Sequence, residues 1–470
     1  MGNGPSAELQ LCTCFGGRPR ASTAAIALHR HCSTERAVQS HLVLHFDVNK
    51  TIVMLDTIQN IPPGDVLNGI LSECAWGRQV EGANGDVTKG WLLDRPTPSP
   101  IRPADSEELL SYLEYLELSL PGKAKDMKKK REQIWKKFTE PGEPGEALRP
   151  FYEQLQDALK GEGRMVGTKM VIPAFFELVS QLASQGRSFS VVFRTFGSDL
   201  PVVQEEFNAF CAGLHPKYPD VRLDGSKPGF PDLRMVPENT GSWYRDAKQT
   251  SLVWGSTTLE EDLKAAGGDL DQFLADPANA QLRSSTGFET VMKDLTAKTS
   301  KPCALGLRDY FPYWHQGGQH GPFGKPLLVD TRDHHRHHIF FDDNILLDDL
   351  DTKIVDVRDK TGREIWPVYA QRYYLCRAEP LLAILDDSYY VRKVEQYEAL
   401  FHRKKQALLR LRAATLTVTS MVRAGQLIEL GQTSKQTYDA WKGDRVSLLS
   451  THFSTSTANL HEEDDEGDGS

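Results

Sequence analysis

The sequence lacks any apolar run of the roughly 18 residues that a helix needs to cross a bilayer, which argues against a membrane span. It lacks a disulfide framework too. Its seven cysteines, at 12, 14, 32, 74, 211, 303 and 376, are odd in number and contain no CxxC pair, so a reducing, cytoplasmic setting is the simpler reading. There is no basic excess: the net charge is −9, and general nucleic-acid binding is not expected. Part of that charge sits in the C-terminal HEEDDEGDGS, which leaves the rest nearer neutral. No GxGxxG follows the first strand-like segment, which disfavours a nucleotide-binding dehydrogenase. No internal repeat is present. What remains, with 39% hydrophobic and 25% charged residues, is an ordinary composition with enough apolar chain for one large core or two modest ones.

The N-terminus is read as a flexible or targeting segment over 1–38. MGNGPS fits a myristoylation pattern at Gly2, and Cys12 and Cys14 offer a second acylation site; membrane contact is expected only through that route. The adjoining GGRPRASTAAIALHRHCSTERAV, rich in Arg, Ser, Thr and Ala with one acid, has the composition of an organellar transit segment. A plain disordered end is the alternative.

Four segments read as strands: HLVLHF (41–46), SFSVVF (188–193), HHIFF (337–341) and KIVDV (353–357). An apolar-periodic helix, VIPAFFELVSQLASQG, precedes the second, and strand–helix–strand succession predicts an α/β fold with a mainly parallel sheet. The core is expected over 39–56, 167–201 and 321–386. A mainly helical insertion occupies 57–166 and a second insertion 202–320. A helical region comes next over 387–435, with its clearest pattern at 388–413, and an acidic, disordered tail over 436–470.

The first strand ends in HFDVNKT, delivering Asp47 to the carboxyl edge of a sheet, where α/β proteins bind ligands. Taken alone this is weak, because strand-end aspartates often cap loops. The order of the later segments raises its weight: Arg194-Thr195 ends the second strand, Gly324-Lys325-Pro326 comes after it, and HHIFFDDN places Asp342 and Asp343 at a third strand end. Adjacent acids after an apolar strand are costly to bury without a cation. This series resembles the four motifs of the haloacid dehalogenase superfamily, and the resemblance covers about 40–56, 168–200 and 322–358. It implies a Rossmann-like three-layer core with two large insertions. It also implies a Mg²⁺-dependent phosphatase or phosphotransferase acting on a phosphorylated small molecule.

Phosphoryl transfer needs a nucleophile, a cation to offset phosphate charge, and donors for the equatorial oxygens. Asp47 is the candidate nucleophile, forming an aspartyl-phosphate. Mg²⁺ would bridge Asp47 with Asp342 and Asp343, and by resemblance the Asn49 carbonyl would join it. Lys325 would neutralise the phosphoryl group, with Thr195, Arg194 and Thr51 assigned to the substrate side; Thr51 is also expected to fix the turn after the nucleophile. Plainer roles exist: a solvated surface lysine for Lys325, and helix capping for Thr195, with Ser198 competing for that cap.

The pattern departs from the family at Asn49, where its phosphatases carry an aspartate that protonates the leaving group and later activates water. An amide cannot exchange a proton at neutral pH, and general acid–base help is worth about 10²–10⁴ in rate. Three consequences stay open: substrates with good leaving groups, a proton donor from an insertion, or a protein that holds a phosphorylated ligand or protein partner without turnover. Secondary candidates are the histidines of DHHRHH (333–338), the basic run Lys123–Lys137 and the aromatic segment Tyr310–Trp314. If 337–341 is a strand, His337 and His338 face opposite sides and cannot grip one ion.

Overall fold

The computed structural model describes residues 39–54, 63–81, 86–122, 125–159, 171–347 and 350–423. The acylation and transit readings and the acidic tail lie outside these residues. The chain divides into two compact units, Met1–Tyr397 and Glu398–Ser470; of the second, the described part is helix, the end of Tyr389–Arg423.

Thirteen strands are present among the described residues: β1 His41–Asp47, β2 Trp76–Gln79, β3 Trp91–Leu93, β4 Leu110–Ser111, β5 Phe189–Thr195, β6 Thr240–Arg245, β7 Thr250–Trp254, β8 Arg283–Thr286, β9 Ala304–Asp309, β10 Lys325–Leu328, β11 Arg336–Asp342, β12 Val355–Arg358 and β13 Leu375–Arg377. The fold is mixed α/β. Its central sheet has the order β13-β11-β1-β5-β9-β6-β7-β8. From β13 to β6 all neighbours are parallel, and β7 and β8 close one edge as antiparallel strands.

β1 shows why the sheet forms here. Leu42, Leu44 and Phe46 enter one core cluster with Phe175, Phe207 and Tyr390 from helices, while Val43 enters another with Trp243, Leu305 and Val291. A strand whose alternate residues are apolar on both faces has to be covered on both. Helix Pro173–Ser184 starts on a proline and buries Phe175, Phe176, Leu178 and Val179 against the first face; helix Phe288–Lys298 covers the second with Val291.

Two expectations change. The segment 202–320 is not set apart from the sheet: it supplies β6, β7, β8 and β9. Their register is decided by pairing with β5, which local pattern does not reveal. KIVDV does contribute a strand, β12, but it lies outside the main sheet, in a separate parallel pair with β10. Among its described residues the segment 57–166 contains four α-helices and a small antiparallel sheet, β3-β2-β4, and its Leu67, Leu71, Tyr112 and Phe138 share the core cluster of the first sheet face. No helix among the described residues is long and apolar enough to cross a membrane.

Phe46 is fully buried, stacked on Phe341 at 4.6 Å and met edge-on by Phe175 and Tyr390. Truncation to Ala is expected to cost about 3–5 kcal/mol in a denaturant titration. A cost below about 1 kcal/mol would mean that this ring does not join the two strands and the helix layer.

A row of histidines lies along the other face of β1 and β11. His45 Nε2 and His338 Nδ1 are 3.2 Å apart, and His41 reaches Ser188 and Ser190. Burial, with Arg336 secondary, lowers His41 to about 4; burial, with His337 and Arg336 behind it, lowers His338 to about 3. The folded state therefore binds fewer protons than the unfolded chain below the ordinary value of 6.5, so this contribution to stability is intact above 6.5 and falls with pH below it. His338→Gln, which takes up no such proton, is expected to lose less stability than the wild type as pH falls from about 6.5 to about 4. Parallel stability curves would rule the histidine out.

Candidate active site

β1, β5, β9 and β11 all end at the same sheet edge, and each delivers a polar residue there. Asp47 lies opposite Arg194 in the β1–β5 register, and Asp342 comes one position after the Phe46–Phe341 pair. Carboxylate oxygens of Asp47, Asp342 and Asp343 lie within 4.8 Å of one another. Asp47 and Asp342 are buried, and Asp343 is half-buried. Lys325 sits between the first two, bonded to Asp47 and, at 2.8 Å, to Asp342 Oδ2. It is 2% exposed, which sets aside a solvated surface lysine.

The electrostatics arise from burial. Burial pushes the Asp47 carboxyl well above the usual carboxylate range, and Lys325 works against that shift. Asp343 is raised to about 7, by burial first and then by Asp342. For Lys325, burial alone would lower the ammonium's pKa, but Asp342 and Asp47 outweigh it and hold it above the ordinary value. Lys325 thus compensates Asp47 and Asp342 directly, while Lys50 and then Lys325 act on Asp343 from a distance. The oxygen-only donor set of the carboxyl groups is of the kind that could hold a hard divalent cation, with Asp47, Asp342 and Asp343 as the residues that would hold it.

The lysine is held in place through its backbone. Arg245 Nη1 donates to Gly324 O at 3.1 Å, and Arg194 Nη1 donates to Pro326 O at 3.0 Å, so two guanidiniums hold the carbonyls on either side of Lys325. Lys325 N donates to Ile354 O at 2.7 Å, and a Cβ on Gly324 would stand 2.1 Å from that oxygen. Only glycine permits so close a backbone approach.

Three expected substrate residues prove to be internal. Arg194 is fully buried; its Nε donates to Asp309 Oδ2 at 2.9 Å and its guanidinium lies over Trp243, so it positions the lysine strand and does not face the cleft. Thr51 Oγ1 accepts the Asp343 N–H at 3.2 Å and its carbonyl accepts the Tyr390 hydroxyl at 2.7 Å, which is the turn-fixing role. Thr195 Oγ1 accepts the Gly197 N–H at 2.9 Å and lies 3.4 Å from Asp199 Oδ2. A phosphoryl contact would require this hydroxyl to leave Asp199.

Asn49 does face the cleft, which holds about 280 Å³ and is also lined by Lys50, Lys128, Phe311, Trp314 and Lys353. The aromatic segment and the basic run thus each contribute to its wall. Asn49 Nδ2 donates to Asp199 Oδ2 at 3.0 Å. Asp199 stands at the N-terminus of helix Leu200–Cys211 without capping it by its side chain. A carboxylate only accepts, so the amide NH₂ turns toward it, leaving the carbonyl oxygen, which has no partner among the described residues. His337 and His338 point to opposite faces: one ring meets Tyr373 O and the other His45.

Sequence reading missed Asp199, Asp309 and Lys353. Asp309 had a signal, since ALGLRD repeats the form of HLVLHFD, an apolar run ending in aspartate. Asp199 and Lys353 had none, because each acquires its role from a contact made across the fold. Compared with known proteins, the chain matches no family model, and no curated protein or solved structure is detectably similar to it.

Lys325→Met leaves the three carboxyl groups without their ammonium. The expected loss is about 3–5 kcal/mol in urea unfolding, partly restored by millimolar Mg²⁺. Unchanged stability, or no response to Mg²⁺, would mean that the cluster neither needs nor takes a cation.

Proposed function

We propose that the protein is a phosphoryl-transfer enzyme of the haloacid dehalogenase type, a Mg²⁺-dependent phosphatase or phosphotransferase with Asp47 as nucleophile. The observation that carries this reading is the juxtaposition of Asp47, Asp342 and Asp343 on neighbouring strand ends, gathered around buried Lys325 at the floor of an open cleft. Strand order supports it: β1 is central, between the strand ending in the acid pair and the strand ending in Thr195.

Asp47 attacks the phosphorus, forming an aspartyl-phosphate, and water then cleaves it and restores the carboxylate. Mg²⁺, when bound, would supply the charge that lets a phosphate dianion approach a carboxylate. Lys325 opposes the upward push that burial exerts on Asp47, because the charged form is the one that its ammonium stabilises. Asp342, rigid on β11, holds that ammonium from the other side. The Asn49 oxygen, without a partner among the described residues, is an acceptor available to a donor on the ligand or to a water, but the amide has no proton to give a leaving group.

The test is phosphate release from a panel of phosphorylated metabolites, with Mg²⁺ or with EDTA, for the wild type beside Asp47→Asn. Turnover is expected to require both the metal and Asp47, with a loss of at least about 10³-fold in the variant. Activity that survives Asp47→Asn would sink the assignment. A silent panel accompanied by Mg²⁺-dependent binding of phosphate would move the protein to a ligand holder without turnover.

A further inference from the structure

Among the described residues, three non-glycine residues have positive φ: Lys50 at 58°, Gln319 at 64° and Lys353 at 66°. All three line the same cleft. They come from separate parts of the chain: the turn after β1, the turn after the aromatic helix Phe311–Gln316, and the loop before β12. Left-handed backbone is costly for a side chain bearing a Cβ, and such strain gathers at ligand sites. Here neighbouring contacts hold it. Lys50 N donates to Val53 O at 2.8 Å, Gln319 N to Trp314 O at 2.9 Å, and Trp314 Nε1 to Lys353 O at 2.8 Å.

The charge of this wall has one sign. Beyond Lys325 and the carboxylate cluster, the charged lining residues are Lys50, Lys353 and, from helix Lys125–Trp135, Lys128. Beside them stands Asn49, whose amide is turned to Asp199 and cannot protonate anything. A phosphomonoester would have to expel a strongly basic alkoxide without a proton. A phosphate expelled from an anhydride is a far weaker base and departs as an anion, which lysines stabilise directly.

We infer that the cleft is built for a phosphoanhydride, in which the transferred phosphoryl group is joined to a second phosphate that leaves as an anion among Lys50, Lys128 and Lys353. The inference rests on the phosphoryl-transfer reading of Asp47. The reaction balances without a general acid. An Asp47 oxygen forms a bond to the terminal phosphorus, and the bridging P–O bond breaks with its electron pair going to the leaving phosphate. Water then adds to the phosphorus of the aspartyl-phosphate, the Asp47–phosphorus bond breaks, and one proton passes to solvent. Inorganic pyrophosphate and a nucleoside diphosphate share this chemistry; the Phe311 and Trp314 side of the cleft would favour the latter.

The experiment compares phosphate release from pyrophosphate, ADP, acetyl phosphate and glucose 6-phosphate by the wild type, Lys353→Gln and Lys128→Gln. Binding of methylenediphosphonate and of inorganic phosphate is titrated calorimetrically on the same proteins. The anhydrides are expected to exceed glucose 6-phosphate by at least about 100-fold in kcat/KM. Each lysine variant should lose about tenfold on anhydrides and on the diphosphonate, and little on phosphate. ADP above pyrophosphate selects the nucleotide; the reverse selects the inorganic anhydride. Comparable turnover of glucose 6-phosphate, or faster and lysine-independent turnover of acetyl phosphate, overturns the inference while leaving Asp47 as nucleophile. If nothing is turned over, the enzymatic reading fails and binding decides: lysine-dependent preference for the diphosphonate supports the ligand class, and equal binding of the two ligands overturns it.

Discussion

One buried ammonium among three carboxyl groups is the constraint around which the site is organised. Lys325 is tied to Asp47 and Asp342, while Asp343 stands beside them and is pushed toward neutrality. Taking such charges out of water is expensive unless each has partners held in place. The surrounding structure provides that hold. Arg194 and Arg245 grip the carbonyls flanking the lysine, and buried Asp309 and Asp356 in turn hold the two arginines. Gly324 lets the lysine strand lie against Ile354. The pair β10–β12, outside the main sheet, has the delivery of this side chain as its evident structural consequence.

A cluster short of positive charge invites a cation, and an open cleft above it invites an anion. These demands differ in geometry, and the molecule separates them. The carboxylates lie at rigid strand ends, where the parallel ladder fixes their spacing. The lysines facing the cleft lie on turns and on the helix Lys125–Trp135, two of them in left-handed backbone held by hydrogen bonds, Lys50 within its own turn and Lys353 from Trp314. Rigid placement suits atoms that react; placement on turns suits atoms that recognise. Asn49 joins the two regions, directed by Asp199 to offer oxygen instead of a proton.

Much of this was legible in the chain. HLVLHFD, SVVFRT and HHIFFDD carry their strand character in apolar runs and their chemistry in the polar residue that ends each run, so Asp47, Asp342 and Asp343 could be grouped before any contact was known. Lys325 could be named but not placed, since GKP in a glycine-rich loop reads equally well as surface. Arg194 was misassigned because a strand-end arginine looks the same whether it meets a ligand or a buried Asp309 over 100 residues away. The stretch 202–320 concealed four strands because Gly and Pro interrupt its pattern, and because β6 to β9 gain their order from pairing at the edge of a sheet begun elsewhere.

By itself the sequence determined the class of secondary structure, the identity of the acid cluster and the lack of a protonatable side chain at Asn49, because periodicity and functional-group chemistry are local properties. The tertiary structure alone decided that Lys325 is buried between carboxylates, that Arg194 and Thr51 serve the scaffold, and that Lys50, Lys128 and Lys353 face one cleft. The physical reason is that partnership, burial and the sign of a local field depend on which distant segments meet. A residue's own neighbours in the chain do not carry that information.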